Sequence, residues 1–123
     1  MDRDQVARWV TAYETAWRTA GTEALAGIFT ADATYRQGPY DDPVSGLPAI
    51  ARMWEAERDG PGEVFELTSG IVAAENDTAV VRVAVRYGRP VVQEWSDLWI
   101  IRFAADGRCA SFEEWPIAPR AGH

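Results

Sequence analysis

From Glu63 onward the chain reads as strands almost without interruption, and that run limits its possible folds more than any other feature. Apolar residues mark strands over about 63–75, 78–88, 91–104 and 108–117. Asn76-Asp77 and Asp106-Gly107 are turn signals between neighbours, and Gly88-Arg89-Pro90 makes the middle turn. Turns this short pair each strand with the next, so the four form an antiparallel meander. Both faces of the sheet are apolar. In the third long strand Trp95, Trp99, Ile101 and Phe103 share one face, and Val92, Leu98 and Ile100 the other. Such a sheet needs a cover on each side.

The segment before Glu63 supplies one cover. Residues 3–20 predict an amphipathic helix with Val6, Trp9, Val10, Tyr13 and Trp17 on one face, ended by Gly21. Thr22 is placed to cap a second helix over 22–30, burying Leu25, Ile28 and Phe29. A short strand over 32–37 holds Tyr35. A proline-containing loop follows over 38–48, with Ser45 as a cap candidate. A third helix over 47–58 is broken by Asp59-Gly-Pro-Gly62. The expected fold class is therefore α+β: a cone-shaped α+β barrel, with three N-terminal helices packed on a curved, mainly antiparallel sheet, in one domain of 123 residues. A second copy of the chain is the expected cover for the outer face, giving a homodimer.

Residue types that are missing exclude whole classes of chemistry. All 12 basic residues are arginine, so there is no lysine for a Schiff base. The one histidine is the terminal His123 and the one cysteine is Cys109, which leaves no Ser-His-Asp triad, no Cys-His pair and no zinc site. Asp41-Asp42 in the proline loop reads as a solvated turn, and no metal or other cofactor is expected. A net charge of −7 without a basic stripe argues against nucleic acid. The N-terminal segment is acidic and then amphipathic, and no apolar run reaches the roughly 20 residues of a membrane span; the chain is expected in the cytoplasm, away from membranes. Acid–base chemistry falls to Asp, Glu and Tyr.

The segments AWRTAGTEALAGIFTADATYRQGP, SGLPAIARMW and SDLWIIRFAADGRCASFEEW, with the spacing between them, resemble the nuclear-transport-factor-2-like superfamily. That superfamily includes ketosteroid isomerases, limonene epoxide hydrolases and SnoaL-like polyketide cyclases. Against the ketosteroid isomerase pattern, the first-helix tyrosine falls on Tyr13. The general base falls on Gln37 and the protonated aspartate on Trp99. The resemblance thus implies that this is not an active ketosteroid isomerase. The Arg-x-Asp pair of the epoxide hydrolases would lie near Val81 to Val83, where no Asp stands; only their last-strand carboxylate has a counterpart, Glu114.

Strand alternation puts Asp97 among Trp95, Trp99, Ile101 and Phe103. A two-residue turn at Asp106-Gly107 would add Phe112 and Glu114 to that face, whereas one more residue would bring in Glu113 instead. Two acids on an apolar face raise at least one pKa, which is how a fold prepares a general acid and a general base. Asp97, Glu114 and Tyr13 are the catalytic candidates, with Tyr13 polarising an oxygen. Trp17, Tyr35, Gln37, Trp54, Trp95, Trp99 and Phe112 are the substrate-binding candidates, as aromatic walls and one orienting amide. The competing reading pairs Asp97 and Glu114 with arginines, Arg36, Arg82 and Arg86 being available, and leaves the aromatic residues as plain core.

Two functions follow. The first is an isomerase, cyclase or hydrolase for a small hydrophobic molecule. The alternative is a non-catalytic ligand-binding or dimeric interaction module of the same fold, with its pocket carboxylates locked to arginines.

Overall fold

A computed structural model describes residues 1–58 and 63–120. The break at Asp59-Gly-Pro-Gly62 and His123 lie outside the described residues. Helix α1 spans Arg3–Arg18 and starts on a capping box: the Asp2 carboxylate accepts from the Gln5 backbone N–H, and the Gln5 side chain accepts from that of Asp2. Its buried face is Val6, Trp9, Val10, Tyr13 and Ala16, with Trp17 half-buried at its edge. The helix ends at an extended Thr19, before Gly21.

The second helix is one turn, α2 (Leu25–Ile28), with Ala24 rather than Thr22 at its N-cap. Phe29, expected inside it, instead opens strand β1 (Phe29–Arg36), where it pairs with Cys109 of the last strand. Tertiary pairing here overrides local propensity. The proline loop holds a two-residue strand, β2 (Val44–Ser45), so Ser45 pairs with Thr34 and caps nothing. Helix α3 (Leu47–Glu57) starts after Gly46, whose φ of +88° suits glycine, with Pro48 in its first turn.

The four long strands are β3 (Phe65–Glu75), β4 (Thr78–Tyr87), β5 (Gln93–Phe103) and β6 (Cys109–Ile117), each within a residue or two of expectation. The sheet order is β2-β1-β6-β5-β4-β3, antiparallel except where β1 runs parallel to β6. The helices pack on one face of this curved mixed sheet, giving the cone-shaped α+β fold. The cone is not closed, because β2 and β3 are free edges.

Its narrow end is filled by aromatic rings. Trp9 lies within 5.6–6.4 Å of Tyr13, Phe29, Trp99, Phe103 and Phe112, centroid to centroid, and its indole N–H donates to the Ile28 carbonyl at 2.9 Å. The outer face is mixed: Leu98 sits between Arg82 and Trp115, and Ile100 between Val80 and Glu113. No helix among the described residues is long and apolar enough to cross a membrane.

Candidate functional site

The wide end of the cone encloses a cavity of about 670 Å³, within the range typical of small-molecule pockets. Its walls come from the period-2 alternation of the four long strands, β3 giving Phe65 and Leu67. On β5, Trp95, Asp97 and Trp99 face inward. On β4, Val85 and Tyr87 lie opposite Trp95 and Gln93; on β6, Glu114 and Pro116 lie opposite Trp99 and Asp97. Helix α1 adds Tyr13 and Trp17, and β1 adds Tyr35.

Glu114 faces the cavity through two offsetting departures from a simple hairpin. Between β5 and β6, the Ala104 N–H donates to the Arg108 carbonyl, so three residues form the turn, with Gly107 at a φ of +89°. That length alone would have turned Glu113 inward. A bulge then shifts the register between Arg102 and Phe103, with Ala110 as the extra residue, and restores the parity. Glu113 lies outside, 3.7 Å from Arg36.

Three side chains form a hydrogen-bonded line. The Tyr13 and Tyr35 hydroxyls are 2.6 Å apart, and the Tyr35 hydroxyl donates to Glu114 Oε1 at 3.4 Å. Burial pushes Glu114 up from an ordinary 4.5 to about 8, and repulsion from Asp97 and Glu57 adds to this; hydrogen bonds from Tyr35 and Gln37 work the other way. Burial lifts Asp97 to about 6, with the Trp99 side chain acting in the opposite direction. At neutral pH this order leaves Asp97 mainly ionised and Glu114 mainly protonated. Burial, and then the Glu114 charge, hold both tyrosines well above the ordinary phenol value, so they remain O–H donors.

Asp97 is 8% exposed, and its Oδ1 has no hydrogen-bond partner among the described residues. The arginines expected to lock the two acids are elsewhere. Arg36 faces Glu113, Arg86 faces Glu94, and Arg82 is exposed.

Of the other sequence-derived candidates, Trp17, Tyr35, Gln37, Trp95 and Trp99 line the cavity. Trp54 and Phe112 do not. Each is 1% exposed and packed in the core, Trp54 against Tyr13 and Trp17, Phe112 stacked on Tyr13. Gln37 stands at the mouth, where its amide donates to both Glu57 oxygens at 2.8 Å. The helical spacing puts Glu57 on the same face as Trp54, three residues on, but sequence reasoning did not take it as a site residue. It also missed Tyr87, which the alternation of β4 would have placed. Cys109 is fully buried with its thiol pushed up to about 12 by burial, an inert strand residue.

No curated protein sequence matches this chain significantly. Solved structures do match in fold. A candidate polyketide cyclase from Sinorhizobium meliloti is 24% identical, with 88% of this chain and 94% of that one covered and a TM-score of 0.66. A candidate SnoaL-like polyketide cyclase from Jannaschia sp. CCS1 is 16% identical, covering 94% and 90%, at 0.74. The epoxide hydrolase/cyclase-like enzyme SalBIII, of pyran ring formation in the polyether salinomycin, is 14% identical, covering 94% and 93%, at 0.75. At these identities the structures speak to fold alone. The sequence itself matches the family model of the SnoaL-like domain over residues 10–112. Because that match runs from α1 into β6, through every element that shapes the cavity, this chain belongs to the SnoaL-like domain family.

Proposed function

We propose that this protein is an enzyme that moves a proton on a small hydrophobic molecule without a cofactor, as an isomerase, cyclase or hydrolase. The observation that carries the reading is a pair of carboxyl groups on one cavity wall whose proton affinities are pushed apart. Asp97 is the general base. Glu114 is the general acid, and the Tyr35–Tyr13 line extends its reach toward a ligand oxygen. For this relay the Tyr35 hydroxyl turns to accept the Glu114 proton and passes its own to Tyr13, whose hydroxyl proton goes to a developing oxyanion. A binding module would have its pocket acids locked to arginines; among the described residues the arginine ion pairs go to Glu14, Glu55, Glu94, Asp106 and Glu113 instead. Gln37, an amide tied to Glu57, cannot serve as the base that a ketosteroid isomerase needs.

Melting temperature against steroids, terpene epoxides, aromatic polyketides and lactones finds the substrate class, because binding to the native state raises it. With that substrate, Asp97→Asn is expected to lower kcat by roughly 10²–10⁴ while binding persists, weakened by no more than about tenfold. Full turnover in the variant would remove Asp97 from the chemistry.

The outer sheet face supports self-association through Leu98, Ile100 and Trp115, with Arg82, Arg102, Glu94 and Glu113 supplying charges of both signs for a two-fold partner. Light scattering is expected to give a dimer mass, and Trp115→Glu a monomer. A monomeric parent protein would rule this interface out.

A further inference from the structure

The charge on the cavity lining is one-sided. Asp97, Glu57, Glu63 and Glu114, the last mainly protonated at neutral pH, are on it, and among the described residues no arginine or histidine is. Arg18, whose guanidinium lies 3.8 Å from the Phe65 ring centroid, is engaged by Glu14 and the Phe65 carbonyl. Much of the remaining wall is aromatic rings, among them Trp17, Trp95, Trp99 and Tyr87. The face of an aromatic ring carries the negative end of its quadrupole. Asp97 lines this space and is more than nine-tenths buried, and its Oδ1 is enclosed by protein with no hydrogen-bond partner among the described residues. A buried, unpaired carboxylate is costly. A neutral ligand offsets that cost only where it brings a hydrogen-bond donor to Asp97, an anion increases it, and a cation offsets it by charge as well.

We propose that the cavity takes an organic cation, an amine or quaternary ammonium group on an apolar body, held by Asp97 and by cation–π contact with the tryptophan walls. This rests on the reading of the cavity as a ligand site and adds the charge of the ligand. A cation beside Asp97 also favours the ionised form of Glu114, which faces Asp97 on β5, Glu57 on α3, Tyr35 on β1, Gln37 just after it, and Tyr13 on α1. Binding near pH 7 therefore releases protons, up to about one per site.

The test uses a matched pair: (4-hydroxymethylbenzyl)trimethylammonium, a permanent cation, and its neutral carbon counterpart, 4-neopentylbenzyl alcohol. Affinities are read from quenching of tryptophan fluorescence and by calorimetry in two buffers of different ionisation enthalpy. The cation is expected to bind about tenfold more tightly, with proton release, and Asp97→Asn to bring the ratio toward one. Equal or tighter binding of the neutral compound overturns the charge assignment and leaves the ligand site standing. Binding of neither overturns both. The wild-type ratio decides the matter even if Asp97→Asn folds poorly.

Discussion

Trp9→Ala is expected to cost about 3–5 kcal/mol of folding stability. Trp9 is 5% exposed and touches five other rings, so its removal opens a void that no single neighbour can close. It also strips the Ile28 carbonyl of its donor at the joint between α2 and β1. In a chain of this length the loss corresponds to a fall in melting temperature of roughly 15 °C. Trp95→Ala is the comparison: it is half-buried on the cavity wall and should cost about 1 kcal/mol or less, with its effect falling on ligand affinity. Urea titrations of the two variants check this. Similar losses for both would mean that the aromatic residues do not divide into a packed floor and an open wall.

That division is the part of the site the sequence shows least. Alternation along β5 puts Trp95, Asp97, Trp99, Ile101 and Phe103 on one face, and the structure agrees, because a period of two is local. Depth along the cone is not local. Phe112 and Glu114 share a face on β6, but Phe112 lies opposite Ile101 in the core and Glu114 opposite Trp99 on the cavity. Trp54 sits on the buried side of α3 and so resembles a wall residue from its helical spacing alone. The line from Tyr13 through Tyr35 to Glu114 joins three elements separated by 22 and 79 residues, which no spacing rule reaches.

The long strands were legible for the reason that the early chain was not. Short turns hold β3 to β6 in consecutive antiparallel pairs, so pattern and pairing coincide. Strand β1 pairs instead with β6, at the far end of the chain, and that pairing draws Phe29 out of the helix its neighbours suggest. Strand β2 is two residues long and has no period to read. The inward choice of Glu114 was open because it depended on turn length, and the Ala110 bulge reverses the effect of the longer turn.

Glu114→Gln is expected to stabilise the protein at high pH, by about 2–4 kcal/mol at pH 9 and by less than about 1 kcal/mol at pH 5. In the folded protein this carboxyl keeps its proton up to about 8, whereas an unfolded chain gives it up near 4.5. Above pH 4.5 the unfolded state therefore binds fewer protons. Stability falls as pH rises from there, and the fall levels off above about 8. Asp97, lifted to about 6, adds to the decline at its lower end. Glutamine keeps an acceptor for the Tyr35 hydroxyl and removes the charge, so the penalty disappears with its pH dependence. The melting curves of wild type and variant should diverge with pH, reaching a gap of roughly 10 °C at pH 9. Glu113→Gln, outside the cavity beside Arg36, should shift both ends of the pH range alike and by little. Parallel curves for Glu114→Gln would mean that the group does not hold a proton in the fold, and Glu114 would lose its place as the acid. Divergent curves, together with loss of turnover in the same variant, would show that the protein gives up stability at this position to keep a proton donor beside Asp97.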